Sequence, residues 1–256
     1  MYNHSVILLY IGRRKIMNGK INRLNEMIRE SGNIVFFGGA GVSTESGIPD
    51  FRSADGIYMM NYKYPPEEVV SRSFFNAHTK EFYEFYKKYF YYPDAKPNIS
   101  HYKLAELEKA GKLKAVITQN IDGFHTEAGS KTVYELHGSI HRNYCMRCGK
   151  SYGLDYIINS ESIPVCECGG IVKPDVVLFE ESLDSDTITG AVNAISDADM
   201  LIVAGTSLKV YPAAGFIRYF RGKNSVLINR DPTDMDDTFD LVFNEKLGDV
   251  MSRVEI

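Results

Sequence analysis

Short apolar runs alternate with stretches of helical periodicity along this chain. Ile21, Leu24, Met27 and Ile28 fall on one face at helical spacing, which predicts an amphipathic helix over 21–30, ended by Gly32. Ile34-Val35-Phe36-Phe37 follows as an unbroken apolar run, as in a strand buried on both faces. It leads straight into Gly38-Gly39-Ala40-Gly41, so a strand, a glycine turn and a helix start are expected in succession. Further apolar runs over 114–118, 200–204, 225–229 and 241–243 predict more strands. Helical patterns cover 100–110, 187–196 and 213–220. The alternation predicts an α/β fold, a Rossmann-like parallel sheet with helices on both faces. Polar groups gather just after the strands, where ligands bind in such sheets.

Two stretches break this rhythm. Residues 54–99 are rich in Tyr and Phe, with a helix expected over 74–92, and residues 138–172 hold all the cysteines among glycine turns. Both read as insertions, a helical module and a cysteine module, that together make a smaller domain. The Rossmann-like domain then comprises 17–53, 100–137 and 173–256. Residues 1–16 read as a disordered extension. Their apolar run, Val6 to Ile11, precedes Arg13, Arg14 and Lys15, the reverse of the order in a secretory signal, and Met17 would be a sensible first residue.

Composition narrows the classes. With 256 residues, 44% of them hydrophobic, the chain can bury a sizeable core. A net charge of −4 argues against a nucleic-acid partner bound through a basic face. No apolar run reaches the ~18 residues of a membrane-crossing helix, so no membrane association is expected. The four cysteines all lie between Cys145 and Cys168. Such clustering suits a metal site in a reducing compartment better than a disulfide framework, and so a cytoplasmic location.

Five motifs carry candidate chemistry. GGAGVSTESGIPDFR, from Gly38 to Arg52, joins a phosphate-type glycine turn to a second glycine and an acidic-aromatic-basic run. It departs from G-x-G-x-x-G, because Thr44 stands where the third glycine would be. Thr118-Gln119-Asn120-Ile121-Asp122 at a strand end reads either as turn chemistry or as part of a site. His137 stands at the junction of the sheet domain and the cysteine module, a preferred place for a cleft, although a lone histidine is weak evidence. Cys145-x-x-Cys148 and Cys166-x-Cys168, separated by 17 residues, can complete a closed tetrahedral zinc site. A closed site leaves no position for substrate, so that zinc would be structural. The tight C-x-C keeps His141 open as a substitute ligand. Gly205-Thr206-Ser207 and Asn229 each follow a strand and suit phosphate or ribose contacts.

Together these residues resemble the sirtuin family, bacterial type. The likeness runs from about Lys20 to Val254 and includes GAGVSTESGIPDFR, TQNIDGFH, ELHGS, the two cysteine pairs, KPDVVLFEE, GTSLKVYP and INRD in order. It implies an NAD-dependent protein-lysine deacetylase that yields nicotinamide, O-acetyl-ADP-ribose and free lysine. Its co-substrates are NAD and an acetylated lysine in a protein or peptide, and one structural zinc ion is expected. Mono-ADP-ribosyl transfer and removal of longer acyl chains are the alternatives. The resemblance makes His137 the general base and places Asn120 beside it with Gln119, facing the ribose and an ordered water. Asp122 and Ile121 would hold the nicotinamide and Phe51 would cover the reactive face. Ala40, Gly41, Thr44 and Arg52 would surround the pyrophosphate and nicotinamide side. Thr206, Ser207 and Asn229 would hold the adenosine side, with Leu247 near the adenine. The peptide would add as a strand between Val177-Leu178-Phe179 and the segment around Val210. Two departures stand out. Phe179 is followed by Glu180 and Glu181 where F-G-E is commoner, which predicts a taste for basic residues near the acyl-lysine. Tyr86 matches the tyrosine of the Y-x-x-R found in desuccinylating members, but Tyr89 replaces the arginine, which predicts acetyl over succinyl.

Overall fold

The computed structural model describes residues 4–51, 53, 56–59 and 62–256, with the backbone alone for 4–13. The chain opens with α1 (His4–Glu30) and β1 (Ile34–Gly38), followed by two short 3₁₀ turns, Ala40–Val42 and Thr44–Ser46. The helical module holds α2 (Pro66–Val69), α3 (Arg72–Ala77) and α4 (Thr79–Tyr89). Next come α5 (Ile99–Lys109), β2 (Leu113–Thr118), α6 (Phe124–Glu127) and β3 (Val133–Glu135). The cysteine region holds β4 (Gly138–Cys145), β5 (Ser151–Tyr152), α7 (Leu154–Ile158) and β6 (Val172–Val176). The chain closes with α8 (Ser185–Asp197), β7 (Met200–Ala204), a 3₁₀ helix at Ala213–Tyr219, β8 (Asn224–Ile228), β9 (Leu241–Phe243) and α9 (Leu247–Met251).

Six strands form one sheet in the order β3-β2-β1-β7-β8-β9, every pair parallel. Alternation along β1 explains the layers. Ile34 and Phe36 enter the core shared with α1, α5 and α9, whereas Val35 and Phe37 enter the core under α8 and the 3₁₀ helix. The strand order turns outward in both directions from β1, so the crevice at the ends of β1 and β7 is the switch point where doubly wound sheets bind ligands.

A second, antiparallel sheet, β5-β4-β6, carries Cys145 at the end of β4, and the other three cysteines lie in turns outside its strands. It runs to Val176, a few residues past the boundary expected at 172. Phe75, Phe82, Tyr83 and Phe85 of the helical module share one core with Ile140, Ile157 and Val172 of the cysteine region. The Tyr83 hydroxyl donates to the Val172 carbonyl at 2.6 Å, tying α4 to β6.

Three expectations need correction. The first helix begins at His4, so 4–16 is helical rather than disordered. The packed turns around Leu24 and Met27 supply the nucleus, and each added residue then gains a hydrogen bond at little cost. The helix expected over 74–92 is two helices that meet at His78 and end at Tyr89. The segment after Pro212 is a 3₁₀ helix, not an α-helix.

His101 and His125 pack together below the sheet end, with ring centroids 4.7 Å apart, both buried. His101 Nδ1 accepts the Asn98 amide in the cap of α5, and neither ring nitrogen of His125 has a partner among the described residues. Burial pushes His101 down to about 4 and His125 well below its ordinary value. Unfolded histidines take up protons near pH ~6.5 that this pair refuses. Stability from the neutral pair is therefore full above about pH 6.5 and declines as pH falls toward about 4. Each histidine contributes up to ~1.4 kcal/mol per pH unit to that decline. Urea unfolding from pH 7 to pH 4 should show it, and His125→Leu should make the slope shallower by about one such increment. An unaltered slope in the variant would contradict this reading.

Candidate functional site

A cavity of about 760 Å³ opens at the C-terminal ends of β1, β2, β7 and β8 and reaches the second sheet and the helical module. Ala40, Gly41, Thr44, Phe51, Gln119, Asn120, Ile121, Asp122, His137, Thr206, Ser207, Asn229 and Leu247 all line it. Val177, Leu178, Phe179 and Val210 line it too. Arg52 lies outside the described residues. Residues separated by some two hundred positions thus share one wall, because every sheet strand ends at the same edge.

The loop after β1 differs from the expected helix start. It makes two 3₁₀ turns, so no helix N-terminus faces the cavity there. Its glycines serve a different contact. A Cβ on Gly39 would meet Gly205 O at 2.8 Å, and one on Gly41 would meet Gly205 Cα at 2.7 Å. The two turns therefore touch backbone to backbone, joined by Gly41 N–H to Gly205 O at 2.8 Å. The loop is braced further by Glu45, whose carboxylate accepts the Gly248 amide at the start of α9.

This loop delivers Ser43, which sequence reasoning quoted within the motif but assigned no role. Ser43 Oγ donates to Asp122 Oδ2 at 2.6 Å and accepts from Asn120 Nδ2 at 3.0 Å. The Asp122 carboxylate also accepts the Phe124 amide. Ser43, Asn120 and Asp122 are all buried. Burial raises the Asp122 carboxyl above its usual range, opposed by the Ser43 hydroxyl, the Phe124 amide, His141 and Asn120. A hydroxyl can donate to one partner and accept from another at once, as Ser43 does between Asp122 and Asn120.

His137 follows β3 and is half-buried. Its Nδ1 lies 2.8 Å from the Gln119 carbonyl. A carbonyl only accepts, so Nδ1 carries the proton and Nε2 is the basic nitrogen of the neutral ring. Burial lowers the histidine below its ordinary value, with the Gln119 carbonyl opposing. The Gln119 side chain donates to Thr206 Oγ1 at 3.0 Å. Asn229 in turn exchanges two bonds with the Thr206 backbone, so one polar chain links the ends of β2, β7 and β8. On the opposite wall Phe51 packs on Tyr58 and Phe90, and Phe90 stacks on Tyr86 and Tyr86 on Phe82. The cavity is therefore polar on the sheet side and aromatic on the helical side.

The segment after β6 is held from within. The Val177 amide donates to the His137 carbonyl and the Leu178 amide to Glu181. Phe179 exchanges both backbone groups with Val70 and Arg72. The Phe179 main chain is thus already paired, and an added strand would have to use other groups of this wall. The two carboxylates that follow are also engaged: Glu180 accepts from Ser73, and Glu181 from Arg72 and Lys173.

The four cysteine sulfurs lie within 4.8 Å of one another, with Cys145 to Cys168 at 3.4 Å and Cys148 to Cys166 at 3.6 Å. Tetrahedral zinc with Zn–S bonds of ~2.3 Å needs sulfurs ~3.8 Å apart, so the set fits one zinc ion. His141 is no ligand in this arrangement. Its Nε2 faces the Asp122 carbonyl at 2.9 Å and braces the site loop instead. The zinc position belongs to the second sheet and leaves no ligand vacancy, as expected of a structural ion.

The sequence profile of the Sir2 family matches residues 39–212, more than half of the chain. The NAD-dependent protein deacetylase of Clostridium acetobutylicum is 60% identical over 239 residues, covering 92% of this chain and 98% of that protein. The enzyme of the same name from Clostridium perfringens is 58% identical, covering 93% and 99%. Among solved structures, a Sir2 protein with deacetylated p53 peptide and 3'-O-acetyl ADP ribose has a TM-score of 0.83 at 40% identity, covering 91% of this chain and 96% of that one. A Sir2 structure with p53 peptide and NAD+ has a TM-score of 0.80 at 40% identity, with the same coverage.

Ser43→Ala should leave Asp122 and Asn120 short of a partner in a buried site and cost about 1–3 kcal/mol. Thr44→Ala, which removes a hydroxyl on the exposed side of the same turn, should cost far less. Urea unfolding of both variants checks this, and equal stabilities would refute the role given to Ser43.

Proposed function

Because the chain belongs to the Sir2 family, we propose from its own site that it is an NAD-dependent protein-lysine deacetylase. It moves the acetyl group of an acetyl-lysine onto ADP-ribose and releases nicotinamide and the free lysine. The observation that carries the reading is the single cavity in which His137, with Nε2 as its basic nitrogen, shares a wall with Asp122, Asn120 and the β1 loop. NAD supplies the ribose that accepts the acetyl group, and the chain's residues supply orientation, a base and exclusion of water.

On this reading Asp122 and Ile121 hold the nicotinamide, with the Asp122 carboxylate held in place by Ser43. Ala40, Gly41, Thr44 and Arg52 surround the pyrophosphate and nicotinamide side. Gln119 and Asn120 face the nicotinamide ribose. Thr206, Ser207 and Asn229 hold the adenosine side, with Leu247 beside the adenine. Phe51, set against Phe90 and Tyr58, closes the reactive face against water, which strengthens local electrostatics. His137 Nε2 takes a proton from a ribose hydroxyl, which frees that oxygen to attack. The acyl-peptide lies along Val177, Leu178 and Phe179 on one side and Val210 on the other. Cys145, Cys148, Cys166 and Cys168 hold the structural zinc. Residues 54–99 and the cysteine region act as one small domain over the sheet, a division supported by their common core. A cytoplasmic location suits a cluster of zinc-binding thiols, and no helix among the described residues is long and apolar enough to cross a membrane.

His137→Ala should lower deacetylation by about 10²–10⁴-fold, the usual contribution of a general base, while the fold persists. The wild-type rate should stay level from pH 7 down to below about 6.5, because burial holds the imidazole neutral there, and fall only under that lowered value. Peptide turnover by mass spectrometry across pH gives both results. Near wild-type turnover in the variant would rule out the role.

Acyl choice follows from the aromatic wall. Tyr86, Tyr89, Phe90 and Tyr92 line it, and the described cations on the cavity, Lys209, Arg230 and Lys246, come from the sheet side. A succinyl carboxylate would find no guanidinium partner from α4. Acetyl-lysine peptide should turn over at least about tenfold faster than succinyl-lysine peptide, since one lost charge-assisted bond is worth that much. Faster succinyl turnover would overturn the assignment.

A further inference from the structure

Among the described residues only two that are not glycine have a left-handed backbone, Glu180 (φ 74°) and Leu208 (φ 55°). Both sit in the segments that wall the peptide side of the cavity, one on each lip. An L-residue persists in that region only where its surroundings over-determine it. For Glu180 the cause is visible. Its Oε2 accepts the Ser73 amide at 2.8 Å and its Oε1 accepts the Ser73 hydroxyl at 2.9 Å. Both bonds are charge-assisted, and they span 107 residues of chain. Ser73 lies in the first turn of α3, whose Phe74 and Phe75 are buried in the core of the helical module.

The neighbouring bonds extend this latch in both directions. Phe179 pairs with Val70 and Arg72, Leu178 is tied through Glu181, and Val177 donates to the His137 carbonyl. A continuous run of bonds therefore joins the base residue to the start of α3, with Glu180 at its far end. A glycine would adopt the same backbone without strain but would offer no carboxylate.

We propose that Glu180 is a positioning residue: by clamping Ser73 it holds Val177–Phe179 at the spacing from Leu208–Tyr211 that an acyl-lysine peptide requires. This deepens the deacetylase reading and rests on it. The experiment is steady-state kinetics of Glu180→Gly, Glu180→Gln, Ser73→Ala and the double variant Glu180→Gly/Ser73→Ala, using an acetyl-lysine peptide with uncharged flanks. Glu180→Gly should raise the peptide KM by about fivefold or more, as expected for lost bonds to a charged group, with Glu180→Gln moving the same way. Its kcat and its KM for NAD should shift less than about twofold, and its thermal midpoint should hold, because relief of the backbone offsets the lost bonds. The double variant should be no worse than Glu180→Gly, since both changes remove the same contact. A merely structural role would lower the thermal midpoint without splitting the two KM values. An unchanged peptide KM in Glu180→Gly, additive effects in the double variant, or a parallel rise in the KM for NAD would overturn the proposal. So would an effect confined to peptides with a basic residue beside the acetyl-lysine, which would assign Glu180 to charge recognition. Absence of NAD-dependent deacetylation by the unaltered protein would instead sink the functional reading itself.

Discussion

The contact on which the site depends is the approach of two bare backbone turns at the switch point of the sheet. Gly39 and Gly41 after β1 lie against Gly205 after β7, so close that a single methyl group at Gly41 would overlap the opposing Cα. Gly205 itself has φ 58°, which glycine adopts freely. With the turns in contact, the loop from Ala40 to Ser46 folds as two 3₁₀ turns and carries Ser43 inward. Ser43 then fixes Asp122 and Asn120, which come from the end of β2. The positions of Asp122 and Asn120 are thus set by a contact between glycines that themselves line the cavity.

The cavity works because its two walls are built by different physics. The sheet side is a ladder of side-chain bonds from Gln119 through Thr206 to Asn229, made possible by parallel strands that end in register. The opposite side is a stack of aromatic rings from Phe51 through Phe90 and Tyr86 to Phe82, held by the core shared with the zinc-bearing sheet. His137 stands where the two meet, with its own carbonyl holding Val177 and its ring held by Gln119. A zinc ion held by the four cysteines would act only indirectly, by tying together the turns of the sheet whose strand β6 leads into Val177–Phe179.

Much of this was legible in the sequence, for reasons that differ by element. The strands at 114–118, 200–204 and 225–229 were readable because burial on both faces leaves an unbroken apolar run. The cysteine spacing predicted a site whose sulfurs indeed gather within 4.8 Å. β3 and β4 were not readable, since Val133–Glu135 is half-exposed and β4 mixes polar and apolar residues around a bulge. The helix over 4–16 was missed because its support comes from the packed turns that follow it rather than from its own pattern. Gly39 and Gly41 were expected to make room for a ligand, whereas their nearest neighbour is Gly205, a partner 164 positions beyond Gly41 that no local pattern reveals. Ser43 escaped for a related reason: its partners, Asp122 and Asn120, are nearly eighty positions away. Glu180 stood out as a departure from F-G-E, but its partner Ser73, 107 positions away, did not.

The central claim is that a single cavity brings the sugar of the dinucleotide to the acyl-lysine so that the acyl group is passed on rather than hydrolysed. Product analysis by mass spectrometry, after incubation with NAD and an acetyl-lysine peptide, tests it most directly. Nicotinamide, O-acetyl-ADP-ribose and deacetylated peptide are expected in equal amounts. Free acetate with unmodified ADP-ribose, or ADP-ribose attached to the peptide, would contradict it.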